Sequence, residues 1–251
     1  NRMNEQGAGV SAAHLHHRPP ILPSLIRRNP PRAAPEGLAR LAAYPVTDVS
    51  DAVGRMYTMA GIAPLHGKAP AICGNALTVK CPPGDNLGVV KAIAMARPGD
   101  VLVIDAQGFV DWCLGGHQLL LSAVLRGALG FVVNGAYRDA SEAERDGLAL
   151  YGTGVSAWSG PKAGPFEINV PVCCGGVIVE PGDAVHASAD GVVVAPRRRL
   201  DMILAHLDAA SERGALSNDR EAERAKVERF VEAVDRHVDA AFVAGGGEFL
   251  D

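Results

Sequence analysis

A Gly-Gly pair placed just before a predicted helix is the first part of the sequence suited to binding a small anion. Gly115 and Gly116 end a loop, and the helix begins near His117. The free backbone N–H groups of His117, Gln118 and Leu119 would form an anion cradle, which the helix dipole strengthens. Glycines without a Cβ let a ligand approach the backbone closely. We therefore expect a carboxylate-binding site here.

The dipeptide Arg138-Asp139 follows the predicted strand over residues 131–135 and supplies complementary chemistry. An arginine binds a carboxylate through two hydrogen bonds, and a lone aspartate with water suits Mg²⁺. A helix of about a dozen residues spans ~18 Å and a five-residue strand ~17 Å, so both motifs should reach one sheet edge. Together they predict a 2-oxo acid site. From residue types alone, a surface ion pair and packing glycines explain the motifs equally well.

The elements that must position these motifs are short apolar, β-branched runs between Gly and Pro residues. The predicted strands are 75–80, 101–105, 131–135, 170–175, 176–180, 183–188 and 191–196, and helices are predicted near 36–44, 47–55, 86–97 and 117–128. Strand–helix alternation indicates a parallel βαβ core, followed by Gly-rich hairpins. Arg97-Pro98-Gly99-Asp100 and Glu180-Pro181-Gly182-Asp183 predict two type II turns. The Gly152-Thr153-Gly154 segment, with Ser156 and Ser159, is interpreted as a flexible loop, with the lining of a cleft as the alternative.

The two ends of the chain differ from this core in composition. Residues 1–35 form a Pro-rich arm, in which the His14/His16/His17 cluster is interpreted as incidental rather than metal-binding. Residues 36–196 form the α/β domain, and residues 197–251 form a helical extension. Two apolar stripes, Leu200/Ile203/Leu204/Leu207 and Val227/Val231/Val234/Val238, are expected to pack on the chain's own core, with a subunit contact as the alternative.

Composition excludes several protein classes. The 251 residues are 48% hydrophobic and 21% charged with a net charge of −4, which is typical of a globular protein and argues against nucleic-acid binding. No apolar run approaches the ~18 residues of a membrane span, and no secretory signal is evident. Five scattered cysteines without a CxxC pair disfavour disulfides and structural zinc. We expect a cytoplasmic protein with no membrane or nucleic-acid partner.

The stretch from Val46 to Pro196 resembles the RraA-like family, which comprises the regulator of ribonuclease activity A and the class II 4-hydroxy-4-methyl-2-oxoglutarate aldolases. The resemblance is carried by VSDAVG, GNALTVKCPPGDN, RPGDVLVID, RGALGFVVNGAYRD, GGVIVEPGD and DGVVVAP, in the family's order. It implies a layered α/β/β/α sandwich with a parallel βαβ core and a swivelling-type β-domain, to which this chain adds C-terminal helices. It also implies a homo-oligomer, either a trimer or a hexamer.

Site residues follow from the resemblance by position. Arg138 matches the arginine that contacts pyruvate and stabilises its enolate, and Asp139 matches the metal ligand. Gln118, Leu119 and Leu120, which follow Gly116, match the backbone amides that hold the substrate carboxylate. His117 departs from the family because it stands where the aldolases have an acidic residue that orients water. A neutral histidine can hydrogen-bond that water, act as a base or bind the metal.

The resemblance predicts a divalent-metal-dependent lyase that uses Mg²⁺, Mn²⁺ or another divalent metal. The enzyme would cleave a 4-hydroxy-2-oxo acid to pyruvate and a carbonyl product, and it would also decarboxylate oxaloacetate. The alternative is a non-catalytic RraA-like regulatory or binding protein. A Schiff-base aldolase is less favoured because Lys80 and Lys91 have no clear place at the site. A methyltransferase is disfavoured because no GxGxG motif follows the first strand.

Overall fold

The sheet strands and helices come from a computed structural model that describes residues 22–212 and 220–245. The strands are β1 (Leu25–Ile26), β2 (Ala63–Pro64), β3 (Ile72–Lys80), β4 (Asp100–Cys113), β5 (Gly130–Tyr137), β6 (Ala149–Val155), β7 (Glu167–Ile168), β8 (Val172–Cys174), β9 (Val177–Val179), β10 (Ala184–Ser188) and β11 (Gly191–Ala195). The helices are α1 (Pro35–Leu41), α2 (Val46–Ala52), α3 (Leu87–Ile93), α4 (His117–Val124), α5 (Ala140–Arg145), α6 (Leu200–Glu212) and α7 (Arg220–Ala244).

Strands β3, β4, β5 and β6 lie side by side and parallel, which confirms the predicted βαβ core. Successive residues of a strand point to opposite faces. In β4, Leu102 and Ile104 pack with α3 and α4, whereas Val101 and Val103 pack against the β-hairpins. Apolar side chains on both faces explain why this strand is a continuous hydrophobic run in the sequence.

The layers stack in the order helix, sheet, hairpins, helix, as the resemblance implies. The β8–β9 and β10–β11 hairpins cover the second face of the sheet, and β10 also pairs with the start of β3. Helices α1, α2 and α6 close the outer side of β10 and β11 in a separate buried cluster. Both predicted type II turns are confirmed, since Gly99 and Gly182 have φ values of +80° and +79°.

Several local expectations were wrong. The Gly152-Thr153-Gly154 segment belongs to strand β6, whose pairing with β5 overrides its weak sequence signal. Helix α2 begins at Val46, with Pro45 in the cap position and no side-chain cap, instead of at Thr47 or Asp48. Helix α4 has eight residues, because it ends at Val124 ahead of the turn that leads to β5.

Residues 22–34 are an extended segment that runs from the end of β3 to the starts of β3 and β4. Strand β1 pairs with β7, the backbone N–H of Ala33 donates to the Asn75 side chain at 2.8 Å, and Arg32 forms an ion pair with Asp100. The His14/His16/His17 cluster lies outside the described residues. These contacts attach the Pro-rich segment along β3, from β7 at the end of that strand to Asn75 and Asp100 at the starts of β3 and β4.

The two C-terminal stripes behave differently. The stripe of α6 is buried, as expected, with Leu204 fully buried. The stripe of α7 does not pack on the described core, because its four valines are 42–57% exposed and the neighbouring Phe230 is 66% exposed. No helix among the described residues combines the length and apolar character needed to cross a membrane.

Candidate active site

The start of α4 and the end of β5 meet at one edge of the sheet, as predicted, although α4 is shorter and β5 longer than the prediction assumed. The N–H of Leu114 donates to the Ala136 carbonyl, and the N–H of Arg138 donates to the Gly115 carbonyl, both at 3.0 Å. These bonds extend the β4–β5 pairing into the loop that carries the two glycines. The Gly-Gly pair and the Arg-Asp dipeptide are therefore held beside each other by backbone hydrogen bonds.

Asp139 is fixed in an unusual conformation against Gly116. Its φ of +60° and ψ of +39° are left-handed, a region that aspartate tolerates better than most residues. Its Oδ2 accepts the N–H of His117 at 3.0 Å and lies 3.7 Å from Arg138 Nε. A Cβ at position 116 would overlap this oxygen, so only glycine leaves room for the carboxylate.

Fewer backbone amides are free to bind an anion than the sequence predicts. The His117 amide binds Asp139, and the amides of Leu119 and Leu120 donate to the Gly116 carbonyl at 3.0 and 3.3 Å. The Gln118 amide is the one of these four with no hydrogen-bond partner among the described residues. The reason is that Gly116 takes the N-cap position, so that its carbonyl accepts the first hydrogen bonds of α4.

A buried tyrosine fixes the Gly-Gly loop from below. Tyr137 is fully buried, and its hydroxyl donates to the Gly116 carbonyl at 3.0 Å. Burial raises the pKa of Tyr137 well above its ordinary value, so the phenol keeps its proton and remains a donor. A Cβ at Gly115 would lie 2.7 Å from this hydroxyl oxygen. Both glycines are therefore required by close packing, in addition to any role toward a ligand.

The two motifs line a cleft of about 500 Å³, and of its other walls the sequence indicated Ser159, as an alternative, but not Glu142 or Lys162. Glu142, Ser159 and Lys162 contribute side chains from α5 and from the loop after β6. Asn86 also lines the cleft; it is 3% exposed, and its buried Oδ1 has no hydrogen-bond partner. A buried acceptor without a partner costs free energy, which makes Asn86 a natural contact for a ligand's hydrogen-bond donor.

Asp85 holds the far wall of the cleft in place. Its Oδ1 accepts the N–H of Leu87 at 2.9 Å, and its Oδ2 accepts the N–H groups of Ala163 and Gly164. Asp85 thus accepts the first helical N–H of α3, while its neighbour Asn86, in the N-cap position, reaches the cleft. Lys162 gave no sequence signal because its position depends on this long-range clamp.

The ring of His117 lines the cleft and is paired on one side. Its Nε2 lies 2.6 Å from Asp146 Oδ2, just beyond the end of α5. The Asp146 carboxylate also accepts a hydrogen bond from Arg145 Nε at 2.9 Å. Hydrogen bonds from Arg145 and then from His117 lower the pKa of Asp146. Sequence spacing could not reveal this partner, because it lies 29 residues away along the chain.

Other residues of reactive types lie outside the cleft, in surroundings that indicate structural roles. His186 is buried, and both ring nitrogens lie near backbone carbonyls; His66 contacts the Leu148 carbonyl. All five cysteines are free, and burial raises the pKa of the Cys81 thiol to about 12. The Lys80 ammonium lies 3.8 Å from Glu167 and does not line the cleft.

The donor set of the cleft suits a magnesium-type ion. Among the described residues, no group of three or more His, Cys, Asp or Glu side chains is arranged to hold a metal. A closed zinc site therefore does not fit here. Mg²⁺ binds proteins through one or two carboxylates and completes its shell with water and substrate oxygens. Asp139, 38% exposed at the cleft, fits that requirement.

Comparisons with known proteins agree with this architecture. The profile of the RraA-like family, described as Aldolase/RraA, matches residues 46–194. A protein of Halalkalibacterium halodurans named "Putative 4-hydroxy-4-methyl-2-oxoglutarate aldolase" is 36% identical over 201 residues, which are 77% of this chain and 95% of that protein. The RNA-processing inhibitor RraA from Thermus thermophilis superposes with a TM-score of 0.55 at 29% identity, covering 61% of this chain and 92% of that one.

A third similarity concerns the fold alone. Streptomyces coelicolor RraAS2, described as an unusual member of the RNase ES inhibitor RraA family, has a TM-score of 0.63 at 24% identity. It covers 74% of this chain and 98% of its own. The family profile spans more than half of the sequence and includes both motifs of the cleft. The chain belongs to the RraA-like family of aldolases and RraA proteins.

Proposed function

We propose that the protein is a divalent-metal-dependent lyase that cleaves a 4-hydroxy-2-oxo acid to pyruvate and a carbonyl product. The observation that carries the proposal is the convergence of Arg138, Asp139 and the unpaired Gln118 amide on one cleft. The family profile and the aldolase name of the relative support it. Decarboxylation of oxaloacetate is the related reaction, because it also leaves a pyruvate enolate.

The chain's own groups divide the work between binding and charge stabilisation. The Gln118 N–H donates to the substrate carboxylate at the positive end of α4. The Arg138 guanidinium stabilises the negative charge that develops on the enolate oxygen. Mg²⁺ or Mn²⁺, held by Asp139 and water, would supply a Lewis acid for the 2-keto group. His117 is the group we propose to accept the 4-hydroxyl proton, directly or through water.

The rival mechanism is that of a Schiff-base aldolase, which uses a lysine, and Lys162 is the lysine that lines the cleft. It is exposed on a loop, whereas a Schiff-base lysine is typically desolvated in an apolar pocket or placed beside another cation. Its position favours contact with a second anionic group of the substrate. The proposal therefore assigns Lys162 to binding and the charge stabilisation to Arg138.

Pyruvate release tests the proposal. Several 4-hydroxy-2-oxo acids and oxaloacetate would be assayed with Mg²⁺, Mn²⁺ or EDTA, using the wild type, Asp139→Ala and Arg138→Lys. We expect EDTA and Asp139→Ala each to abolish turnover, and Arg138→Lys to lower kcat by about 10²-fold, the usual effect of losing an oriented donor. Asp190→Ala, which removes an exposed carboxylate in the β10–β11 turn, is the matched control. Turnover that ignores both EDTA and Asp139→Ala would contradict the proposal.

A non-catalytic binding protein is the second candidate. The exposed apolar stripe of α7 favours it, because such surfaces are common in interaction sites. The solved relative from Thermus thermophilis is itself described as an RNA-processing inhibitor. The same assay separates the two candidates, since a binding protein releases no pyruvate from any of these acids under any metal condition.

A further inference from the structure

The pair formed by His117 and Asp146 links the first residue of α4 to the residue that follows α5. The His117 side chain is 15% exposed, and its Nε2 lies 2.6 Å from Asp146 Oδ2. Arg145 Nε donates to the other carboxylate oxygen at 2.9 Å, so Asp146 is held from two sides. An imidazole that is oriented by a carboxylate is the arrangement found in many general bases.

The pair determines which ring nitrogen carries the proton. An aspartate that accepts a hydrogen bond from the Arg145 guanidinium at 2.9 Å is ionised at neutral pH, so its carboxylate only accepts. His117 Nε2 must then be the donor, which leaves the lone pair of the neutral ring on Nδ1. Among the described residues Nδ1 has no hydrogen-bond partner, and His117 lines the same cleft as Arg138.

We propose that Asp146 is a positioning residue that holds His117 as the Nε2–H tautomer, so that Nδ1 accepts a proton from the substrate. The proposal rests on the proposed lyase function. The 4-hydroxyl proton passes to Nδ1 as the C3–C4 bond breaks. The electrons of that bond form the enolate, and C4 becomes the carbonyl carbon of the released product. The proton on Nδ1 then returns to C3 and completes pyruvate, so no other reactant is needed.

The position of Asp146 also accounts for the histidine at 117, where the resemblance implies an acidic residue. The negative charge is retained but lies one side chain further from Asp139. Glu142 is the other carboxylate near the ring, and it lines the cleft itself, so it is not suitable as a control. Glu144 lies on α5 between the two and does not line the cleft, which makes Glu144→Gln the matched charge-neutralising control.

Nitrogen NMR of the full-length protein with ¹⁵N-labelled histidine tests the tautomer directly. The His117 signals are assigned by their loss in His117→Gln. We expect the Nε2–H form in the wild type and in Glu144→Gln. In Asp146→Asn the amide N–H can donate to Nε2, which moves the ring toward the Nδ1–H form. A wild-type ring in the Nδ1–H form, or an unchanged tautomer in Asp146→Asn, would overturn the proposal.

Kinetics supply the second readout. With a 4-hydroxy-2-oxo acid, we expect Asp146→Asn to lower kcat at least about 10-fold with little change in KM, and Asp146→Glu to recover part of the loss. A purely structural role would lower the thermal midpoint and leave the tautomer unchanged. An unaltered kcat in Asp146→Asn would overturn the proposal that Asp146 assists proton transfer to His117 Nδ1. If the wild type has no turnover, the lyase proposal and the proton transfer fail together, while the tautomer result still decides the role of Asp146.

Discussion

Gly116 decides whether Asp139 can lie at the helix N-terminus. The carboxylate oxygen occupies the space that any Cβ at position 116 would fill, and it accepts the His117 amide there. The left-handed backbone of Asp139 aims the side chain back toward α4 instead of along α5. The two residues therefore form one unit, in which a change at the glycine acts first on the aspartate.

We expect Gly116→Ala to displace Asp139, weaken pyruvate binding by 10-fold or more and cost about 1–3 kcal/mol of stability through overpacking. Gly154→Ala is the control, because its Cβ would meet only Val110 at an ordinary 3.8 Å. Calorimetric titration with pyruvate and Mg²⁺ measures the binding, and urea unfolding measures the stability. Equal pyruvate affinity in the two variants would contradict the claim that glycine at position 116 is needed to keep Asp139 in place.

Helix α4 is too short to be stable on its own, so the packing of its buried side determines where its N-terminus lies. An isolated helix of eight residues is unstable in water, and its stability comes from tertiary packing. Leu120 and Ala123 are fully buried against the parallel sheet. The geometry of the cleft therefore depends on apolar contacts that lie behind it.

Leu120→Ala should lower the free energy of unfolding by about 2–5 kcal/mol, because it removes a fully buried side chain. Leu125→Ala, at the C-terminal end of the same helix and 79% exposed, should change it by less than about 0.5 kcal/mol. Urea denaturation followed by circular dichroism gives both values. Similar losses in the two variants would show that α4 is not anchored through this face.

The elements that the sequence predicted well are those with strong local signals. Strands β3, β4 and β5 are β-branched runs between turn residues, and their chain order alone indicates a parallel core. Strand β6 was missed because its glycines suppress the local preference and its pairing is long-range. Helix α5 was missed because six mostly polar residues have too little periodicity to detect.

The site was predictable in position but not in detail. The sequence placed Gly116 and Arg138 at one edge of the sheet, which the structure confirms, although both element lengths used for that prediction were wrong. The direction of the His117 ring and the approach of Lys162 depend on Asp146 and on the Asp85 clamp, respectively. Both contacts join residues that are far apart in sequence, and neither produces a pattern in a single chain.

For the whole molecule, the helical layers contribute unequally to folding. Helix α6 completes the outer buried cluster with α1 and α2, whereas the apolar side of α7 lies exposed to solvent. Periodicity predicted an apolar stripe on each helix, but it carries no information about what covers the stripe. The core that supports the cleft accordingly ends with α6.

Leu204→Ala in α6 should therefore lower the free energy of unfolding by about 2–5 kcal/mol, since the side chain is fully buried. Val231→Asp in α7, at a position that is 57% exposed, should change it by less than about 0.5 kcal/mol. Guanidinium unfolding monitored by tryptophan fluorescence measures both. A loss of more than about 1 kcal/mol in Val231→Asp would mean that the stripe is covered in solution.

The contacts of residues 22–34 also set an order of events during synthesis. Their partners are made late: the Arg27 carbonyl accepts from Asn169, 142 residues further along, and the Ala33 N–H donates to the Gly182 carbonyl. The segment leaves the ribosome well before the hairpin region, and it has no complete surface to bind until that region has emerged. Contacts of such high sequence separation form slowly. This segment is thus among the last to dock, and it runs beside β3 from the end of that strand to its start.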